Sequence, residues 1–404
     1  MTMNRRWELD LLRGFMLVMM FTTHLPTRFS DKLGQPFGYV SAAEGFVMLS
    51  AFMAGLIYTG RAQKAGIPAM KKAFFRRVTT VYACHATLLL FLFSAIALLG
   101  LKLDQPALTN LIGFYLSDPW AALPGALLLI YNPPLLDILP LYILLLFASP
   151  FVLAFAMQRG WTGVFVISVA LWACGQFPLS QGLYEVLARH IGLRVPFSET
   201  GSFETLSWQF LWLFGLWMGA ATAQGRLDHR KPFPQALLAG AVLVVLVCLI
   251  WRHTAGQIPV PGHAESLINQ LFDKWKLGPL RMLNLFALLV VIMHVGPRLS
   301  ERLPRIGFLE KLGSASLPVF CMHLVVVLAA LTIAGEYRPG RPLLLDVLMM
   351  AAGLAALYAT ALVTLYIDRE EQQRMLAARK EQELQRARRS QTRAASAAES
   401  DLPT

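Results

Sequence analysis

Cysteine is sparse in this chain. Cys84, Cys174, Cys248 and Cys321 are the four in 404 residues; they stand far apart and all lie in apolar runs. With no CxxC pair and no metal-ligand spacing, neither a disulfide framework nor a zinc site is expected, and no metal is called for. Charge is scarce as well, Asp, Glu, Lys and Arg making up 15% of the residues. The Gly-x-Ser-x-Gly elbow, the P-loop and the HExxH helix are missing too, which leaves a serine triad, nucleotide chemistry and a zinc-helix peptidase without a motif. No internal repeat is evident, so inverted-repeat transport gains no support.

What is abundant is apolar sequence: 56% of the residues are hydrophobic and the mean hydropathy is +0.53. Long apolar runs recur along the whole chain, the signature of a polytopic membrane protein. The net charge of +12 would otherwise suggest nucleic acid. In a membrane protein, basic residues accumulate in cytoplasmic loops because they resist translocation, so no nucleic-acid partner is expected.

The runs predict an all-α, polytopic integral membrane bundle of about ten transmembrane helices, at 9–28, 40–59, 78–100, 135–157, 161–177, 207–224, 235–252, 279–296, 313–334 and 343–367. The first lacks a short apolar core followed by a small-x-small cleavage site and reads as an uncleaved anchor. The loop after the second span holds Arg61, Lys64, Lys71, Lys72, Arg76 and Arg77, which places it, and both termini, in the cytoplasm. Residues 1–367 form the membrane domain. Residues 368–404 read as a charged cytoplasmic tail, partly helical and frayed.

Inside the first span stand Asp10, Arg13 and His24. At about 100° per residue, Arg13 and His24 lie about 20° apart around the helix and Asp10 and His24 about 40° apart, so the three share a face. Ionisable groups in a membrane helix cost several kcal/mol unless they face a bundle interior or a wet cavity. The plainer alternative is a snorkelling Arg13 and a packed, inert His24. Glu44, the one carboxylate of the second span, lies near its outer end, within reach of the outer end of the first span.

Further along, Arg76 and Arg77 suit either anionic lipid headgroups or the phosphates of a cytoplasmic cofactor. Residues 101 to 134 are proline-rich around an apolar patch at 126–130, which suits a re-entrant or interfacial segment. Pro133 and Pro134 are expected to start a helix that carries Asp137 into the apolar layer one turn later, with Asn132, Asp137 and Tyr142 as an outer polar rim. N-capping and interfacial anchoring are the alternative roles. Trp208, Gln209 and Trp212 offer aromatic faces beside an amide, as a sugar would require, although tryptophan more commonly serves as an interfacial belt. Arg281 and Asn284 enter the eighth span, and His323 lies about ten residues into the ninth.

This pattern suits a donor entering from inside and an acceptor outside, with histidine removing a hydroxyl proton as that oxygen attacks an acyl carbon, and a carboxylate orienting the ring. A transporter using the same stripe as a path is the competing class, and an O-acetyltransferase of the same architecture is a third.

The Leu-Asp-Leu-Leu-Arg-Gly opening with His24-Leu-Pro, the Ala42-to-Ser50 stretch, the Asn132-to-Tyr142 stretch, Trp208-to-Trp212, Leu277-to-Arg281 and Ser316-to-Leu324 together resemble the OpgC family of periplasmic glucan succinyltransferases over about residues 5 to 367. That family is similar to the wider group of membrane acyltransferases marked by an arginine and a histidine with ten residues between them in the first helix, the spacing of Arg13 and His24. The resemblance implies a bacterial inner-membrane enzyme, succinyl-CoA as the cytoplasmic donor and a periplasmic glucan as acceptor. Many relatives carry aspartate where this chain has Thr23 and Ser41, which moves the partner acid to Glu44 or Asp10. The expected scheme has His24 as base, Glu44 orienting it, and Arg13 with Asp10 organising the donor, joined by Arg76 and Arg77. Asn132, Asp137, Tyr142, Trp208, Gln209, Trp212, Arg281, Asn284 and His323 would line the acceptor side, Arg281 also being placed to pair with the succinyl carboxylate.

Overall fold

Helix α1, Trp7–His24, carries Glu8 and Asp10 in its first turn and His24 in its last, the charge order that a helix dipole favours. After the short α2, Ser30–Leu33, the chain enters α3, Ala42–Phe91, through a capping box. The Ser41 hydroxyl and the Glu44 carboxylate satisfy each other's backbone N–H groups there, the Ser41 N–H donating to Glu44 Oε2 at 3.0 Å. The computed structural model describes residues 7–228, 233–302 and 304–400, and no strand occurs among them.

Two separate spans were expected at 40–59 and 78–100 with a basic loop between. The structure runs two helical segments into each other across a kink at Gly66, whose φ of 83° is open to glycine without steric cost, with Pro68 just after it, and the 50 residues are labelled together as α3. The basic stretch from Lys71 to Arg77 therefore lies on a helix, and neighbours such as Arg76 and Arg77 point in different directions.

A π-helical turn at Leu92–Ile96 leads to α4, Ala97–Lys102, and three short helices, α5 (Pro106–Leu111), α6 (Gly113–Ser117) and α7 (Pro119–Leu127). The helix expected to start at Pro133–Pro134 begins later: residues 134–137 are turns, Leu135 sits at φ 73°, and α8 runs Ile138–Arg159. Paired prolines remove two N–H donors and bias the preceding residue away from helix, so Asp137 precedes α8 and is not carried into it.

Helices α9 (Thr162–Gly175) and α10 (Leu179–Ile191) meet at 83°. Next, α11, Thr205–Ala223, lies along α3 so closely that a Cβ on Gly219 would fall 2.0 Å from the Phe52 carbonyl oxygen. The remaining helices are α12 (Gln235–Ala255), α13 (Leu267–Leu271), α14 (Pro279–Arg302), α15 (Gly307–Ser314), α16 (Ser316–Ala334) and α17 (Leu343–Ser400). α15 crosses α1 on a glycine seam: a Cβ on Gly14 would meet Leu309 O at 1.9 Å, and one on Gly313 would meet Asp10 O at 1.7 Å. Small residues allow such backbone approach, and here they fix α1 against the start of α16.

Among the described residues six helices are long and apolar enough to cross a membrane: Ala42–Lys102, Ile138–Arg159, Gln235–Ala255, Pro279–Leu299, Ser316–Ala334 and Leu343–Gln382. The bent α9–α10 pair makes a seventh if it counts as one span. The gap from the ten expected has physical sources. The second and third expected spans adjoin across the Gly66 kink and count once here, and α1 is short and carries Glu8, Asp10 and Arg13. The charged stretch after Asp368 continues α17 as helix through Ser400.

Candidate functional site

The two membrane histidines, 299 residues apart in sequence, meet. His24 Nδ1 lies 2.9 Å from His323 Nε2, and the rings stack with centroids 5.2 Å apart. His323 is fully buried, its Nδ1 lies 3.2 Å from the Phe320 carbonyl, and the rings of Phe21 and Phe320 flank it. A carbonyl only accepts, so the hydrogen-bond network assigns the proton to His323 Nδ1 and the lone pair to its Nε2. His323 Nε2 then accepts from His24 Nδ1–H, and His24 Nε2 is left with a lone pair. His24 is only partly covered. A neutral imidazole held in one tautomer with an unprotonated nitrogen toward open space is built to take a proton.

The backbone just beyond His24 is clamped by residues that no sequence motif marked. Asp346, fully buried near the start of α17, accepts from Arg28 Nε at 2.9 Å and lies 3.7 Å from Arg341 Nη1. Arg341 also donates to the Pro26 carbonyl at 2.7 Å, and Arg28 Nη2 donates to the Arg341 carbonyl at 2.6 Å. This two-arginine clamp ties the Leu25–Arg28 turn to the loop between α16 and α17, the far end of the helix that carries His323.

Arg13 and Arg77 line one narrow cavity of about 30 Å³ together with Phe46, Ser50, Tyr142 and Phe320. Phe46 stacks on Phe320 at 5.8 Å, and Phe320 lies 5.2 Å from His323, so one ring walls both the cavity and the histidine pair. Of the predicted donor residues, Arg13 and Arg77 meet here. Arg76, one residue earlier, is exposed on the helix surface. Asp10 lines a different cleft, with Glu310, Lys311 and Arg369 from α15 and α17.

Glu44 is buried and its partners are not the histidine: Arg281 Nε donates to Oε1 at 2.5 Å, and the Ser41 hydroxyl and N–H both donate to Oε2. The expected His24–Glu44 pairing is thus replaced by His24–His323 and Glu44–Arg281. The Ser41-x-x-Glu44 spacing was the sequence signal for this outcome. The Thr23 hydroxyl bonds back to the Met19 carbonyl. Arg281 Nη1 donates to the Phe272 carbonyl at 3.3 Å, and Asn284 Oδ1 accepts from the Tyr39 N–H at 3.0 Å. Arg281 Nη2 and Asn284 Nδ2 are buried donors without a protein partner.

The expected acceptor surface is largely used inside the protein. Trp208 is fully buried and donates from Nε1 to the Trp275 carbonyl at 2.9 Å, and Trp212 is 1% exposed and donates to Ser149 Oγ at 2.8 Å. Gln209 exchanges hydrogen bonds with Ser168 on α9, its Oε1 accepting from the hydroxyl and its Nε2 donating to the carbonyl, both at 2.8 Å. The two tryptophans pack helices together through their burial, and half-buried Gln209 does so through its hydrogen bonds, so none of the three is set out as a sugar-binding face. Tyr142 falls in the Arg13–Arg77 cavity and not on the outer rim, its ring edge-on to Trp212. Asn132 Nδ2 donates to the Thr200 carbonyl at 2.6 Å, and Asp137 accepts from the Ser202 N–H at 3.1 Å, so both brace the turn before α8 against the 196–202 loop. Among the described residues no three His, Cys, Asp or Glu side chains gather as a metal-ligand set.

No curated protein and no solved structure matches the chain. A family model described as OpgC protein matches residues 5–369, and with nine-tenths of its length inside that match the chain belongs to the OpgC family.

Proposed function

We propose that this protein is a membrane-embedded O-acyltransferase that moves a succinyl group from cytoplasmic succinyl-CoA to a hydroxyl of a periplasmic glucan. Membership of the OpgC family points to a glucan succinyltransferase-like role. The observation that carries the mechanism is the His24–His323 pair set against the same phenylalanine that walls the Arg13–Arg77 cavity. The two guanidinium groups suit the phosphates or thioester oxygen of a coenzyme A donor.

In this scheme His24 Nε2 takes the proton of the glucan hydroxyl as that oxygen attacks the thioester carbon. A C–O bond forms, the C–S bond breaks, and the proton passes from His24 to the departing thiolate. His323 holds the ring by accepting from Nδ1–H, which becomes a stronger donor while His24 is protonated. The reaction needs no covalent enzyme intermediate. The chain would sit in a bacterial inner membrane with ten crossings and both termini cytoplasmic, residues 1–367 forming the catalytic domain and 368–404 its tail.

The test is the mass and charge of periplasmic glucans from cells with the intact gene, without it, and with His24→Ala at matched protein level. Loss of anionic succinyl half-esters in both the deletion and the variant is expected. Full succinylation by a folded His24→Ala protein would sink the scheme.

A further inference from the structure

A donor that ends in a free carboxylate needs a cation that is held in place and not already neutralised. Most candidates are committed. Arg28 and Arg341 share Asp346, Arg281 is paired with Glu44, and Arg13 and Arg77 line the donor cavity. Lys274 differs. Among the described residues its ammonium makes no ion pair and no hydrogen bond, and its one charge-specific contact is the face of the Trp275 ring, 4.5 Å away.

Lys274 is presented by a stiff loop. Consecutive carbonyls of Trp275, Lys276 and Leu277 accept from Trp208 Nε1 at 2.9 Å, Gln176 Nε2 at 2.8 Å and Trp172 Nε1 at 3.0 Å. The Lys276 N–H closes the turn on Asp273 Oδ1 at 2.7 Å. The loop thus hangs from side chains of α9 and α11, and Arg281 of α14, which pairs with Glu44 at the start of α3, also donates to its Phe272 carbonyl.

Glu44, Arg281 and Asp137 act on the ammonium electrostatically, and its own charge acts on His24. Burial pushes the Lys274 ammonium below the ordinary lysine range; Glu44 draws it back up, Arg281 lowers it again, and Asp137 raises it. Both carboxylates are already bonded elsewhere, Glu44 to Arg281 and Ser41, and Asp137 to Ser202. Donors outnumber acceptors here, because Arg281 Nη2 and Asn284 Nδ2, one helical turn apart on α14 just past the loop, also lack partners. Buried donors require acceptors, and a carboxylate brings about four lone pairs and a full negative charge.

We propose that Lys274 receives the free carboxylate of the acyl donor, with the unpartnered donors of Arg281 and Asn284 completing the site, and so sets the preference for a dicarboxylic acyl group. This rests on the acyl-transfer reading above and names the residue that gives it substrate specificity.

The experiment offers succinyl-CoA and acetyl-CoA in competition to the full-length protein in membrane vesicles with glucan present, and reads both products by mass. Lys274→Met is expected to lower the succinyl-to-acetyl product ratio on the order of 10- to 100-fold, the size of one charge-assisted hydrogen bond. Acetyl transfer persists, the loss lies mainly in KM for succinyl-CoA, and Lys274→Arg restores most of the ratio. An unchanged ratio, or a parallel fall of both products, overturns the assignment. Should Lys274→Met fail to fold, the intact protein decides: free succinate is expected to inhibit acetyl transfer more strongly than free acetate, and equal inhibition overturns the proposal. An intact protein that acylates with neither donor overturns the acyl-transfer reading itself.

Discussion

The histidine pair and the tryptophan pair make an instructive contrast. His24 and His323 lie on α1 and α16; Trp208 and Trp212 lie one turn apart on α11. Both pairs combine ring faces with polar nitrogens in apolar helices. Each tryptophan has one N–H, each N–H has a protein acceptor, and both rings are covered. The histidines have two nitrogens each, and their hydrogen bonds run in one direction, from His24 to His323 and from His323 to the Phe320 carbonyl, which leaves one lone pair at the partly open end. Polar capacity left over after the fold has been satisfied separates a site from a packing contact.

That contrast is broken most directly at its reactive end. His24→Ala is expected to reduce kcat about 10²- to 10⁴-fold, the usual worth of a general base, with the protein still folded and donor KM little changed. A variant that keeps more than a tenth of the activity would put the histidines in the same class as the tryptophans.

Next in size is the buried pair Glu44–Arg281. Breaking such a pair by removing one partner leaves an uncompensated charge and costs roughly 3–5 kcal/mol. Arg281→Met is therefore expected to lower thermal stability sharply. The double variant Glu44→Gln/Arg281→Met should recover part of the loss, giving a coupling energy of about 0.5–3 kcal/mol in a double-mutant cycle. Additive losses would mean that the two groups do not depend on each other. A coupled loss with normal His24-dependent kcat would confirm Glu44 as a scaffold residue.

A smaller effect separates the adjacent arginines. Arg77 lines the cavity and Arg76 is exposed. Losing one charge-assisted contact to a phosphate raises KM about 10-fold, so Arg77→Met should weaken the donor by that order and Arg76→Met by less than about two-fold. Equal effects from both would move the donor from the cavity to the basic helix surface.

The helical class and the family were legible because apolar runs and short motifs are local properties of the chain. The pairings were not. His24 with His323 and Glu44 with Arg281 join residues 299 and 237 positions apart, and nothing in helical spacing says which distant helix a polar face will meet. The two expected helices run up to each other because the residues expected as a loop are good helix formers, and Gly66 supplies the kink between them. Lys274 was visible only as one charge in a loop, since what distinguishes it is the commitment of every neighbouring carboxylate.

The finest test returns to the tryptophans. Trp208→Phe keeps an aromatic ring in the buried slot beside Phe203 but removes the donor to the Trp275 carbonyl. A hydrogen bond of this kind contributes about 0.5–1.5 kcal/mol net, so a modest drop in stability is expected, with KM for the glucan unchanged. Because the Trp275 carbonyl anchors the loop that carries Lys274, the succinyl-to-acetyl ratio should fall slightly, well short of the Lys274→Met effect. A rise in glucan KM at unchanged stability would instead make Trp208 a sugar contact, reached by an opening of α11 that this arrangement does not show, and would erase the distinction between the two pairs.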